Sequence, residues 1–324
     1  MARKQFVFLL LFLLLLPLHG YTWGFFAHQR INHLAVFALP PEMVGFYKKH
    51  LRYITENAVN PDRRRYAVED EAARHYIDLD VYGDSALYKM PRFWQEAVAK
   101  YSEDTLQAYG IVPWQINRMK YQLTQAFKDR NLDRILRLST EMGHYVADAC
   151  VPLHTTQNYN GQLTGQLGIH AFWETRLPEL YSDNYDFFVG QAQYIEQPQL
   201  KAWELVGSAH TALDSVLYLE KQLTQEFDEG KKYSYEVRNN MTTRVYSRDF
   251  ALAYSRKLNG QVEHQMRRAI LAVASYWYTA WVDAGQPDLS KITQPLSAEE
   301  LQRLEMEKKE YETGPHKARE EGDS

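Results

Sequence analysis

Hydrophobic residues recur every three to four positions along most of this chain, the period of a helix with one buried face. Trp23 to Leu39 carries such a stripe and stops at Pro40-Pro41. The next run, Pro41 to Val59, opens on proline with Glu42 in its first turn, where a fixed φ and the helix dipole favour them. Helices are predicted over 91–109 and 113–129, each opening near a proline, and over 132–150, closing before Pro152. Further helices are predicted over 170–181, 200–226, 244–258 and 262–284, with Gly260 as a stop between the last two. No stretch shows sustained period-two alternation, so no strand is predicted, and no segment repeats at a fixed spacing. The expected fold class is all-α, with roughly eight to ten helices in a single domain. Irregular stretches near 59–90, 155–169 and 184–199 are where a helical domain tends to carry function.

The two ends break the pattern. Arg3 and Lys4 precede an unbroken apolar run from Phe6 to Leu16, then Pro17 and Gly20. That run is short for a membrane span and has the layout of a secretory signal. Gly20 and Thr22 place cleavage before Trp23, which would then carry a free α-amino group. The chain is therefore expected to be exported, to a periplasm or the extracellular space. After Pro287 the composition turns to charge. Ser297, with Glu300 three residues on, reads as an N-cap that opens a solvated helix fading into a disordered tail. The expected organisation is a leader over 1–22, a functional domain over 23–286, and a charged helix and tail over 287–324.

Composition narrows the classes. The chain has 324 residues, 45% hydrophobic and 24% charged, which excludes a disordered chain, a collagen and a polytopic membrane protein. A formal net charge of −4 gives no overall footprint for duplex DNA. Cys150 is the single cysteine, so there is neither an intramolecular disulfide framework nor a Cys-rich metal site. It reads as a small buried residue. Any metal must be held by His, Asp, Glu or the backbone.

The chemistry lies in how eleven histidines are spaced against carboxylates. GHYVADACVPLH gives His144 and Asp148 four apart on one helical face, with His154 just past Pro152. HAFWE gives His170 and Glu174 at the same spacing. RHYIDLD contributes His75, with Asp62 upstream in NPDRRR, and WGFFAH contributes Trp23 and His28. A single His-x₃-carboxylate pair can be a surface ion pair worth a few tenths of a kcal/mol. Two pairs on neighbouring segments, joined by Pro152-Leu153-His154, point instead to a metal site. Nitrogen and oxygen ligands without sulfur suit zinc, and also iron or manganese. HExxH is absent, and Glu141-x-x-His144 is half of a di-iron bundle motif with no second copy. GxGxxG, GxxxxGK[ST] and GxSxG are absent too, which removes dinucleotide, P-loop and serine-hydrolase readings.

In chain order these residues resemble the zinc-dependent phospholipase C family, whose superfamily includes the single-strand-specific zinc nucleases of fungi and plants. The resemblance covers Trp23 to about Ala284. It rests on a tryptophan at the mature N-terminus, a histidine soon after, an Asp…His pair, then H-x₃-D-x₅-H and H-x₃-[DE]. It implies a mostly helical domain with three zinc ions in a cleft. One zinc would take Asp62, His75, His144 and Asp148, and a second His154, His170 and Glu174. The third would take the amino nitrogen and carbonyl oxygen of Trp23, with His28 and a bridging Asp148. The activity implied is hydrolysis of phosphoric diesters, by a metal-activated water attacking phosphorus in line, with Asp62 orienting it.

The resemblance leaves the substrate open. Glu174 matches the phospholipase branch, since the nucleases usually carry Asp there, and the lone cysteine points the same way. Arg63, Arg64 and Arg65 could bind substrate phosphate or form a solvated loop, and they would suit a nucleic-acid backbone. Tyr66, Tyr76, Tyr82 and Phe172 could stack a base or wall a quaternary ammonium. The expected partner is a phosphodiester substrate, a phospholipid first and single-stranded nucleic acid second, with no partner protein and a monomeric state. A third reading is a non-catalytic, zinc-stabilised binding protein. His33, His50, His210 and His264 lie in helical patterns and read as structural, and Asn240-Met241-Thr242 is a glycosylation sequon.

Overall fold

Phe25, His28, Ile31, Asn32 and Ala35 fall on the inner face of the first helix, α1 (Phe25–Ala35), which passes through a 3₁₀ turn to Pro40. The computed structural model describes residues 25–65, 67–68, 70–238 and 241–313. The leader, Trp23, Tyr66, Asn240 of the sequon and the end of the tail lie outside the described residues.

The single helix expected over 41–59 is two, α2 (Pro41–Lys49) and α3 (Leu51–Glu56), parted where His50 leaves helical geometry at φ −108°, ψ 17°. A short helix, α4 (Asn60–Arg64), puts Pro61 and Asp62 in its first turn. Short turns and α5 (Ala86–Lys89) fill the irregular stretch that follows. The helix expected over 91–109 is also two, α6 (Trp94–Tyr101) and α7 (Glu103–Tyr109). Ser102 breaks it with φ 70°, and its hydroxyl accepts the Thr105 N–H to cap α7.

Next come α8 (Val112–Lys128) and α9 (Leu132–Asp148), the latter capped by Asn131 accepting the Arg134 N–H. The 170–181 segment divides into α10 (Ile169–Ala171), a π-helical turn (Phe172–Arg176) and α11 (Leu177–Tyr181). The long α12 (Pro198–Glu226) follows.

Contrary to the expectation of no strand, a β-hairpin follows: β1 (Tyr233–Arg238) and β2 (Met241–Tyr246) pair with Tyr233 opposite Tyr246. It takes the first turn of the helix expected from 244, so α13 (Arg248–Leu258) starts later. Six-residue strands rich in Tyr, Thr and Val are too short to stand out by alternation, and an isolated hairpin is marginal. This one is held by docking. Tyr246 stacks on Phe172 at 3.9 Å, and Glu236 accepts two hydrogen bonds from Arg176. The rest of the fold is helical, and the all-α expectation holds apart from this hairpin.

α14 (Gln261–Asp283) packs with α8 and α9 at the centre, and α1 and α12 lean on that trio. Trp277 is the anchor: it stacks on Tyr47 at 4.9 Å and donates to the Ser139 carbonyl. The last helix, α15 (Ala298–Thr313), begins as expected, with Ser297 Oγ accepting the Glu300 N–H. It is not solvated all round. Glu300 is 4% exposed and accepts a hydrogen bond from Tyr53, while Glu307 lies 3.5 Å from Arg64 on α4. Among the described residues no helix is long and apolar enough to cross a membrane.

Candidate metal centre

The centre is built outward from the end of α9, which is buried on nearly every side. One helical turn sets His144 and Asp148 above each other, and both are sealed from solvent. α1 can approach them because residue 143 is glycine. A Cβ there would lie 2.0 Å from Asn32 Oδ1, whose amide donates to the Thr140 carbonyl. The close crossing stacks His28 on His144 with ring centroids 3.9 Å apart. Pro152 ends the helix and starts a 3₁₀ turn that carries His154 inward. The His75 loop is tied to that turn: Ile77 N–H donates to the His154 carbonyl, and His154 Nδ1–H donates to the His75 carbonyl. It is clamped on its other side by Gly110, where φ is 93° and a Cβ would meet the Tyr76 carbonyl at 2.2 Å. Only glycine meets both conditions.

Three groups of donors result: Asp62, His75 and His144; His154, His170 and Glu174; and His28, His144 and Asp148. Within each, the donor atoms lie within 4.8 Å of one another. In the first, His75 Nδ1 is 3.0 Å from Asp148 Oδ2, 3.0 Å from His144 Nε2 and 3.8 Å from Asp62 Oδ1. His144 Nε2 is 3.5 Å from Asp62 Oδ1 and 3.3 Å from Asp148 Oδ2. Asp148 thus completes a four-donor set. In the second, Glu174 Oε2 is 2.7 Å from His170 Nε2 and 3.4 Å from His154 Nε2. His28 joins them: its Nε2 is 3.3 Å from both Asp148 Oδ1 and Glu174 Oε1. The π-helical turn carries Glu174, and its unwinding sets this glutamate against three imidazoles.

These spacings fit zinc. Tetrahedral bonds of about 2.0–2.1 Å place ligand atoms about 3.3 Å apart, and the donor separations here run from 2.7 to 3.8 Å. The imidazoles are also set for it. His144, His154 and His170 each direct Nδ1 at a backbone carbonyl, of Ala58, His75 and Tyr159. A carbonyl only accepts, so Nδ1 carries the proton, and the Nε2 lone pair of the neutral ring faces inward.

The charges need a cation. Burial alone would raise Asp62, Asp148 and Glu174. The surrounding imidazoles, joined at Asp62 by the Arg65 guanidinium, outweigh it and hold all three below the usual carboxylate range. Burial would lower His144, but Asp148 and Asp62 reverse that and lift it to about 9 without metal. A proton on His144 then balances part of the carboxylate charge, the response expected of anionic groups packed out of water.

Other anticipated residues divide. Trp23, proposed for the third zinc, lies outside the described residues. Arg64 is engaged by Glu141 at 2.7 Å, Glu71 at 3.4 Å and Glu307 at 3.5 Å, so its guanidinium holds helices together and does not offer itself to phosphate. Arg65 lies 3.8 Å from Asp62, and Arg63 bonds Asn60 and sits over the Phe25 ring. Phe172 is sealed in the stack with Tyr246 and Tyr254 and cannot touch a substrate. Tyr82 packs on Tyr101 and Tyr109, and Tyr76 lies against Gly110. His33 pairs with Thr55, His210 with Thr155, and His264 with Arg268, all structural. Cys150 is buried, its thiol pushed up to about 12 by burial.

One residue of the site escaped the sequence reading. Glu71 is buried, 3.8 Å from His75 Nε2, and is held by Arg64, Arg74 and the Tyr145 hydroxyl. It stands behind His75, on the side of the ring away from the donor group, and does not hydrogen-bond it. Its i, i+4 spacing to His75, the same as His144 to Asp148, was the available signal.

No protein-family model matches the chain, and no curated protein matches it. Among solved structures the fold is similar to that of the alpha toxin from Clostridium absonum, with 13% identity and a TM-score of 0.42, over 83% of this chain and 66% of that one. The chain thus spans just under two thirds of the toxin chain's length. The likeness is one of fold, and the reading of the site stands on its own side chains.

Proposed function

We propose that the chain is a zinc-dependent hydrolase of phosphoric diesters, phospholipase C-like, exported by its leader and active as a monomer with three zinc ions. The observation that carries this is the donor set: five histidines and three carboxylates in three adjoining groups, two of which share His144, while His28 faces both Asp148 and Glu174 and so links the third. A structural zinc needs one closed set of four ligands. Three adjoining groups in one place exceed any structural need and match multi-metal phosphoryl chemistry. Asp62, His75, His144 and Asp148 would hold one ion, and His154, His170 and Glu174 a second. His28 and Asp148 would hold the third, with the amino terminus of a chain cut before Trp23.

Bound zinc supplies a nucleophile at neutral pH and Lewis-acid stabilisation of phosphoryl oxygens. The chain's residues do the remainder. The three Nδ1–H donors fix their imidazoles, so the donors need no reorganisation during reaction. Asp148 and Glu174 keep the groups in register. Asp62 has 13% of its side chain exposed, against 1% for Asp148, and is the carboxylate that incoming water and substrate reach first. Its ionised oxygen can accept the proton of an attacking water and so orient it.

Phospholipid is the favoured substrate. Glu174 has the reach to face His28 with one oxygen and His154 and His170 with the other. Arg64 is committed to carboxylates, which weakens the phosphate-backbone case. The test is a phosphorus NMR time course on zinc-loaded protein beginning at Trp23, mixed with phosphatidylcholine vesicles and short single-stranded RNA. A growing phosphocholine signal with intact RNA supports the reading. Nucleotide monoesters with intact lipid would transfer the same centre to a nuclease. No monoester from either, with zinc content verified, would favour a non-catalytic binding protein.

A further inference from the structure

Away from the metal centre, a cavity of about 390 Å³ opens between α6, α7 and the starts of α8 and α12. None of its lining residues belongs to the three donor groups. Its size falls within the ~300–1,000 Å³ typical of small-molecule sites. Another cavity, beside His28 and Trp173, is about 20 Å³ and holds one water at most.

The lining is unusual in kind. Aromatic rings form part of the wall, with Trp94 and Trp114 edge to face at 5.5 Å. Much of the remainder is carboxamide, from Gln95, Gln107, Gln115, Asn117 and Gln199. Gln199 is fixed by donating to the Pro113 carbonyl at 3.0 Å. Gln107, Gln115 and Asn117 leave their amide oxygens buried and with no hydrogen-bond donor among the described residues, so these oxygens do not serve to hold the fold. Buried polar groups without partners cost about 1–3 kcal/mol each, so the fold itself gains nothing from gathering carboxamides around this cavity.

We propose that this cavity binds a neutral, polyhydroxylated ligand such as a sugar ring. The lining chemistry selects that class. Carboxamides both donate and accept, which suits vicinal hydroxyls, and flat indoles suit the apolar face of a ring. Glu103 and Arg118 both line the cavity, so a cation and an anion would each meet one unfavourable charge. The site also adjoins the centre mechanically. Ile111 lines it, and the Ile111 and Val112 N–H groups donate to the Ala73 and Tyr76 carbonyls on either side of His75.

The test is tryptophan fluorescence of the zinc-loaded protein, titrated separately with glucose, galactose, N-acetylglucosamine, myo-inositol, choline and inorganic phosphate. The expected result is a saturable change with at least one of the four polyols, in the millimolar range. Trp94→Ala and Gln115→Leu should weaken it tenfold or more, and Gln95→Ala, an exposed change that leaves the fold intact, several-fold. No saturable change with any polyol would overturn the proposal. So would a response confined to choline or phosphate, or equal polyol binding in Gln95→Ala and Trp94→Ala. The readout is independent of phosphodiester hydrolysis, so either proposal can fail without the other.

Discussion

Two buried ionic clusters lie side by side on the same two helices and have opposite needs. α4 supplies Asp62 to one and Arg64 to the other, and α9 supplies His144 and Asp148 to one and Glu141 to the other. Around Arg64 the chain brings its own cations: Arg64, Arg74, Arg137 and Arg303 answer Glu71, Glu141, Glu300 and Glu307. Around Asp148 it brings imidazoles to three carboxylates, and one guanidinium, Arg65, at 3.8 Å from the outermost of them, Asp62. Both are packed out of water, where an unpaired charge is costly. The first is closed by the chain itself. The second closes only with protons or metal ions, so burial together with incomplete neutralisation separates a binding centre from a structural network.

The largest expected effect breaks that contrast on the metal side. Asp148→Asn removes a charge shared by two donor groups. Zinc content measured by mass spectrometry should fall by at least one ion, and hydrolysis should fall beyond the ~10–100-fold typical of outer-shell changes. Hydrolysis within a factor of three of the parent would contradict the assignment.

Next is the structural side. Arg64→Ala strands Glu71 and Glu141, and loss of one partner from a buried pair costs about 3–5 kcal/mol. Urea unfolding should show that loss, while the fraction that remains folded and zinc-loaded keeps its turnover. A large fall in turnover with unchanged stability would move Arg64 into the substrate site.

A third change sharpens the joint between α1 and α9. Gly143→Ala forces Asn32 away and spreads His28 from Asp148. Overpacking of this kind costs about 1–3 kcal/mol, and calorimetry should show weaker zinc binding than in the parent.

The smallest effect is a pH dependence. In metal-free protein His144 is raised to about 9, so its contribution to stability is complete below its ordinary value of 6.5 and is lost as pH rises toward 9. Zinc must displace that proton, so its affinity should rise across the same window, by up to about tenfold per unit. The depressed carboxylates act in the opposite sense, stabilising above their ordinary range and ceasing to do so as pH falls through their lower folded values. Denaturation midpoints of metal-free protein at pH 6, 7.5 and 9 check the sign.

Much of this centre was legible because its ligands come as local pairs. His144/Asp148 and His170/Glu174 each follow from helical geometry. Glu71 had the same spacing to His75 but sits beyond an inner donor, where pairing with His75 alone gives no reason to choose it. The helix breaks at His50 and Ser102 were not legible, because the hydrophobic stripe runs through both and only the backbone angles differ. The hairpin was hidden because its strands exist by docking on Phe172. The charge of α15 read as solvation, since its partners, the Tyr53 hydroxyl on α3, Arg64 on α4 and Arg137 on α9, are remote in sequence. The cavity of amides and indoles gave no sequence signal at all, since its residues come from four helices.

The most direct measurement is the zinc content per chain of protein beginning at Trp23, by inductively coupled plasma mass spectrometry after dialysis against metal-free buffer, beside Asp148→Asn and His170→Ala. The expected result is three zinc ions in the parent and fewer in both variants. A folded parent that retains no zinc, or holds the same number after both substitutions, would contradict the centre described here.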